Sequence, residues 1–248
     1  MPGQCIAVVS GKGGTGKTSF TAGVGSALAL SGKRVLCLDC DVALRNLDLA
    51  LGLTDRALMD FTDVAQERCS LDIAAVEHPD IPELYLLTAP ARSRGRPVTD
   101  EQMINLLKKA RENYDYCFLD APAGLGGGFQ LATCGADRVV VVATADASSL
   151  RDAQHTVMEL DRFPPGHLHL TVNRVRKKML RNMHATIDDA IDRAGLPLIG
   201  VIPEDDTLPL YLNKGVPLLL NSHRGAAEAY RNIAKRLEGQ RVPLLRIR

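Results

Sequence analysis

Eight residues, Gly11-Lys12-Gly13-Gly14-Thr15-Gly16-Lys17-Thr18, follow the apolar run Cys5-Ile6-Ala7-Val8-Val9, and their types and spacing point to phosphate chemistry. The pattern Gly11-x-x-x-x-Gly16-Lys17-Thr18 fits a P-loop. Its glycines let successive backbone N–H groups converge on phosphate oxygens, its lysine reaches the terminal phosphates, and its hydroxyl meets Mg²⁺. A helix opening near Lys17 and running on through Ser19-Phe20-Thr21-Ala22-Gly23-Val24 adds the positive end of its dipole to the same anion site. Lys12 is a second lysine that a plain P-loop does not need. It stands too early in the loop to wrap easily around its own nucleotide's γ-phosphate, so it is expected to look outward.

Acidic residues complete a centre for nucleoside triphosphate hydrolysis. Arg34-Val35-Leu36-Cys37-Leu38 ends in Asp39, with Asp41 two residues on; Tyr116-Cys117-Phe118-Leu119 ends in Asp120, before the turn-forming run Ala121-Pro122-Ala123-Gly124-Leu125-Gly126-Gly127-Gly128. An acid at a strand end also serves to cap the next element, but these acids lie at strand ends beside one P-loop. A hard cation that keeps several waters takes hydroxyl and carboxylate oxygens alongside phosphates, which assigns Thr18 and Asp120 to Mg²⁺. Asp41 is then free to orient or deprotonate the attacking water while Lys17 stabilises charge on the transferred phosphoryl group.

These positions need a scaffold, and the hydrophobic pattern supplies one. Strands are expected over Gln4–Ser10, Arg34–Asp39, Leu84–Thr88, Tyr116–Asp120, Arg138–Ala143, His169–Asn173 and Leu198–Ile202. Helices are expected over Lys17–Ser31, Thr99–Asn113, Ser148–Arg162, Met179–Ala194 and Ser222–Glu238, the second opening on the capping signal Thr99-Asp100-Glu101-Gln102. Continuous apolar strands alternating with helices predict an α/β fold: a mainly parallel sheet of about seven to eight strands, covered by helices on both faces, with ligands at the carboxyl ends of the strands. The 248 residues are 46% hydrophobic and suit one P-loop domain over residues 1–238, with a short basic and apolar tail over 239–248. The stretch Ala89–Pro97, with its arginines and prolines, is expected to be a solvated surface loop.

Thirty basic against 29 acidic residues give a formal charge of +1, so no global field draws the chain to nucleic acid and no such partner is expected. The six cysteines fall mostly in apolar runs, where a free thiol behaves as a small hydrophobe, and no disulfide framework is suggested. No signal segment or apolar stretch of about 18 residues occurs; the cytoplasm is the expected location.

The loop with its early lysine resembles the deviant Walker A motif of the MinD/ParA family of ATPases. In that family the early lysine crosses a dimer interface to the partner's nucleotide, so the resemblance implies an ATP-dependent homodimer, a trans role for Lys12 and ATP/ADP with Mg²⁺ as cofactors. Asp39-Cys40-Asp41-Val42-Ala43-Leu44-Arg45-Asn46-Leu47-Asp48-Leu49 is similar to switch I of the MinD branch rather than of plasmid-type ParA proteins, and Asp120-Ala121-Pro122-Ala123-Gly124 to its switch II. The branch implies a spatial regulator of septum placement, with a MinC-like or MinE-like partner at the region Ser148–Asp152. Asn173-Arg174 and Gly200-Val201-Ile202-Pro203-Glu204-Asp205 match the family's base-binding elements: Asn173 would hydrogen-bond adenine, and the loop from Pro203 to Asp205 would pack against it. A regulator of flagellar number, a cargo-positioning ATPase and a nucleotide-dependent scaffold with negligible hydrolysis remain as alternatives. A nitrogenase-type reductase would need cluster-binding cysteines near switch II, and Gly124 to Gly128 contain none.

The tail departs from the family. MinD proteins end in a basic amphipathic helix that enters the inner leaflet. Here Pro243 interrupts Gly239-Gln240-Arg241-Val242-Pro243-Leu244-Leu245-Arg246-Ile247-Arg248, which leaves a segment too short to sustain its own helix. Weak contact at the inner face of the cell membrane is the expectation.

Overall fold

The computed structural model describes residues 2–91, 96–176 and 187–245. Eight strands form one sheet: β1 Gln4–Val9, β2 Val35–Asp39, β3 Val76–Glu77, β4 Leu84–Leu87, β5 Tyr116–Asp120, β6 Arg138–Thr144, β7 Leu168–Val175 and β8 Leu198–Pro203. Their order is β3-β4-β2-β5-β1-β6-β7-β8, and every pairing is parallel except that of the edge strand β3 with β4. The core strands β1, β2 and β5 are buried almost throughout because helices cover both faces.

On one face lie α1 Lys17–Ala29, α2 Leu47–Ala50, α9 Leu208–Asn213, α10 Leu218–Asn221 and α11 Ala226–Leu237. The other carries α3 Phe61–Ala65, α4 Leu71–Ala74, α5 Asp100–Asn113, α6 Gly127–Thr133, α7 Ala147–Met158 and α8 Ile187–Ala194. α1 is buried on nearly all sides, wedged between the sheet and α11, and small residues make that fit possible. A Cβ on Gly23 would stand 2.4 to 2.6 Å from the Tyr230 ring of α11.

The seven expected strands all occur, with end shifts of one or two residues. β3 is additional: two residues carry too little alternation to signal a strand. α5 opens on the expected capping box, Thr99 accepting from Gln102 N–H while the Gln102 side chain accepts from Thr99 N–H. The expected helix Ser222–Glu238 begins later, at Ala226, because Ser222–Arg224 form a turn and Gly225 has φ 61°. Of the helix expected over Met179–Ala194, residues 179–186 lie outside the described residues, as do 92–95 of the expected loop and 246–248 of the tail.

Candidate functional site

The three central strands deliver the chemistry to one edge. β5 lies between β1 and β2, pairing Val8 with Asp120 and Asp39 with Asp120, so the loop after β1 and the acids ending β2 and β5 emerge side by side. The loop then turns into α1 through Gly16, at φ 95°. A side chain there would suffer left-handed backbone strain and a clash, since a Cβ would stand 2.1 Å from Asn173 Nδ2. Gly14, at φ 77°, has open space where its Cβ would be, as a loop admitting phosphate oxygens close to its backbone requires.

Lys17 points into this cradle. It is 8% exposed, and its Nζ donates to Ser10 Oγ at 2.9 Å, while that hydroxyl donates to the Lys12 carbonyl at 2.7 Å. Burial pushes its pKa down and the nearby Asp120 and Asp41 carboxylates oppose the push, so this ammonium lacks the water shell that an anion would replace. Thr18 Oγ1 donates to Asp120 Oδ2 at 2.6 Å, which sets a hydroxyl and a carboxylate at one point. Burial raises the Asp120 carboxyl to about 7 against the Thr18 hydrogen bond that lowers it, and the neighbouring Asp39 raises it further. A buried acid held up this way gains strongly from a cation. The Thr18–Asp120 pair, completed by phosphate and water oxygens, fits Mg²⁺; among the described residues no group of three or more His, Cys, Asp or Glu side chains forms a closed metal cage. Ser19, in the first turn of α1, is half-buried beside this pair.

Asp39 has a role beyond its place at the strand end. Fully buried, it accepts the Asp41 N–H at 2.8 Å on one oxygen and the Leu47 N–H at 3.1 Å on the other, tying both ends of the loop between β2 and α2. Burial outweighs these two hydrogen bonds and raises its carboxyl to about 6. The half-buried Asp41 carboxylate accepts from the Ala43 and Leu44 N–H groups at 3.1 and 3.0 Å. Asp41 is close enough to Lys17 for its carboxylate to oppose the fall in that lysine's pKa, and the two N–H groups it accepts from fold the loop around it.

Lys12 is held by a different partner from Lys17. Its Nζ pairs with Asp146 Oδ1 at 3.2 Å, each side chain being 35% exposed. Asp146 is also the N-cap of α7, accepting from Ser149 N–H, and takes a short hydrogen bond from Thr144 Oγ1. Burial is outweighed by these hydrogen bonds and the lysine, which hold its carboxyl below the usual range. The Lys12–Asp146 contact joins residues 134 apart and has no short-range signal in the sequence. Within the region Ser148–Asp152, Ser148 and Arg151 are exposed whereas Ser149 and Leu150 are buried.

The expected base-binding residues are close at hand but engaged. Asn173 is 4% exposed; its Nδ2 donates to the Thr15 carbonyl at 2.8 Å, and its Oδ1 accepts from Arg174 N–H at 2.8 Å, so it braces the P-loop from β7. Pro203 ends β8. Asp205 accepts from Thr207 N–H and Oγ1 on one oxygen and from Ala226 N–H, at the start of α11, on the other. Cys37 and Cys40 do not converge: Cys37 packs with the α1 side of the sheet and Cys40 with the α5 side, and burial pushes both thiols up.

Comparison with known proteins decides the family. Residues 6–218 match the CobQ/CobB/MinD/ParA nucleotide binding domain. The septum site-determining protein MinD of Synechocystis sp. is 39% identical over 244 residues, covering 98% of this chain and 92% of that protein; MinD of Bacillus subtilis is 38% identical, covering 98% and 91%. The chain belongs to the MinD/ParA family. It is a MinD-like ATPase that regulates cell division, on the MinD branch. Among solved structures, the MinC:MinD cell division protein complex of Aquifex aeolicus superposes with a TM-score of 0.90 at 35% identity, covering 98% of this chain and 99% of that one. MinD of Pyrococcus horikoshii, complexed with Mg-ADP, gives 0.82 at 27% identity, covering 95% and 96%.

Proposed function

We propose that residues 1–238 form one Mg·ATP-driven switch that dimerises face to face through the β1–α1 loop and hydrolyses ATP to reset a cue for septum placement. The single observation that carries this reading is the division of labour between two lysines in one loop. Lys17 is buried in the cradle, whereas Lys12 pairs at 3.2 Å with Asp146. In this reading the Gly11–Ser19 backbone, Lys17 and Thr18 hold the phosphates, Thr18 and Asp120 hold Mg²⁺, Asp41 orients water, and Lys12 leaves Asp146 for the phosphates of a second copy. Val42 and Leu44 after β2, and Leu125 after β5, expose apolar side chains beside the loop and suit burial against that copy.

In the same reading Asn173 and the Pro203–Asp205 loop line the base. Asn173 Nδ2 and Oδ1 each make one hydrogen bond in the fold, to the Thr15 carbonyl and from Arg174 N–H, and in this reading the second N–H and the second lone pair serve adenine. The Aquifex structure contains MinC, and the exposed Ser148 and Arg151 beside Asp146 support a MinC-like partner whose access follows the release of Lys12. A MinE-like partner at the same face belongs to the same reading. The location proposed is cytoplasmic with weak lipid contact; no described helix is long and apolar enough to cross a membrane.

Sedimentation of the purified protein with Mg·ADP and with Mg·ATP tests the switch. A monomer with ADP and a dimer with ATP are expected, and Lys17→Ala should lose nucleotide binding and stay monomeric in both. One oligomeric state across both nucleotides overturns the proposal.

A further inference from the structure

Ser10, between the end of β1 and the first glycine of the loop, touches both lysines of the P-loop through one oxygen. It is 1% exposed. Lys17 Nζ lies 2.9 Å from its Oγ, and the Lys12 carbonyl lies 2.7 Å from the same atom. The direction of each hydrogen bond is forced. An ammonium has three donors and no lone pair, so Ser10 accepts from Lys17; a carbonyl only accepts, so the single Ser10 proton goes to Lys12. One hydroxyl thus joins the two lysines in a chain of hydrogen bonds.

The two hydrogen bonds fix different things. Among the described residues Lys17 makes no other hydrogen bond or ion pair, so Ser10 sets how the ammonium turns about its Cε–Nζ bond. With one N–H held, the other two take fixed directions and are left for phosphate oxygens, an orientation gained before the nucleotide arrives. The second hydrogen bond acts on the backbone. It ties the Lys12 carbonyl to the residue that follows β1, and so fixes where the Lys12 side chain leaves the loop; that side chain ends 3.2 Å from Asp146. Ser10 itself has a firm anchor. Its carbonyl accepts the Gly124 N–H at 3.3 Å, and the Val8 carbonyl accepts the Ala121 N–H at 3.1 Å, so the run after β5 holds the end of β1 in place.

We infer that Ser10 is a positioning residue for ATP hydrolysis, setting the Lys17 ammonium for its own nucleotide and the Lys12 backbone for the partner's. The second half rests on the proposed trans role of Lys12. Ser10 acts through the two lysines, and Ser10→Ala leaves the ammonium without its acceptor and the carbonyl without its donor. The loss falls mainly on the chemical step, because both lysines meet more charge on the transferred phosphoryl group than on bound ATP.

Steady-state hydrolysis of Mg·ATP by the full chain tests the first half. Ser10→Ala should lower kcat at least about tenfold, the scale of a hydrogen bond to a charged group, and raise KM less. An unchanged kcat, whatever happens to KM, overturns the proposal. The urea unfolding midpoint shows that the variant is folded, and Ser10→Cys, close in volume and a weak acceptor, gives the same comparison if it is not. Mixing tests the second half. In a mixed dimer of Lys12→Ala with Ser10→Ala, the Lys12→Ala protomer keeps its own Ser10, Lys17 and Asp41 and depends on the Lys12 of a partner that lacks the Ser10 hydroxyl. In a mixture with Asp41→Ala it receives Lys12 from a partner whose Ser10 is intact. The first mixture should hydrolyse ATP several-fold more slowly than the second, or fail to pair in sedimentation where the second pairs. Equal rates would confine Ser10 to its own site and overturn the coupling. Silence in the second mixture falls on the trans role of Lys12 instead, and Ser10 then stands or falls on kcat alone.

Discussion

Two carboxylates at adjacent strand ends are held back from ionising, and this governs how the site meets its metal. Asp39 rises to about 6 and Asp120 to about 7 from an ordinary 3.8, chiefly through burial. Each favours the folded state in its neutral form, so its contribution is complete below pH 4 and is lost as pH climbs through 6 and 7. Metal-free protein should therefore lose stability over that window. Asp120→Asn, which keeps the shape without the charge, should flatten the slope in thermal melts taken from pH 4 to 8; an unchanged slope would show that Asp120 ionises freely in the fold. Asp41 calls for a different measurement. Removing a water-orienting carboxylate slows the chemical step far more than it weakens phosphate binding, so Asp41→Ala should bind ATP normally and persist as an ATP dimer. Single-turnover hydrolysis should fall by about a hundredfold or more, the usual scale for a lost general base; turnover near the wild-type rate would remove Asp41 from the chemistry.

α7 links the cradle to the surface that faces outward. Its N-cap, Asp146, holds Ser149 N–H and Lys12 Nζ together, and the carbonyl of Asp152, further along the helix, stands 2.7 Å from where a Gly11 Cβ would be. The P-loop lysine is thus tied to the helix end that carries the exposed Ser148 and Arg151. Asp146→Ala removes both the cap and the anchor, and should cost about 1 kcal/mol in urea unfolding, the usual value of a cap, since the half-exposed ion pair adds little. Asp146→Asn keeps a capping oxygen and should recover most of that loss. Equal losses in the two variants would show that the lysine contact, not the cap, carries the stability. Elements of this kind differ in how well the sequence foretells them. α5 is announced by Thr99 and Gln102 three residues apart, and β1, β2 and β5 by unbroken apolar runs. β3 and the single-turn helices α2, α4 and α10 are too short for any periodicity to form, and only packing specifies them.

Across the whole molecule, legibility follows sequence distance. The P-loop is eight consecutive residues, and Asp39, Asp41 and Asp120 follow apolar strands directly, so the parallel sheet that gathers them could be foreseen. The Lys12–Asp146 pair, the Asn173 brace on Thr15 and the Asp205 cap on α11 join residues 134, 158 and 21 apart, and each depends on strands or helices being in place first. The first two of these contacts fall on the P-loop itself, whose early lysine carries the central claim. If Lys12 serves the partner's phosphates, Lys12→Ala and Asp41→Ala should each be nearly inactive alone, yet mixing them should restore hydrolysis. In the mixed dimer the Lys12→Ala protomer keeps its own Asp41 and receives an intact Lys12 from its partner, completing one of the two sites. Steady-state ATPase at equal concentrations should then recover to about a quarter of the wild-type rate, since random pairing makes half the dimers mixed and each holds one working site. Two inactive variants that stay inactive when mixed, while sedimenting as mixed dimers with ATP, would contradict the trans role of Lys12.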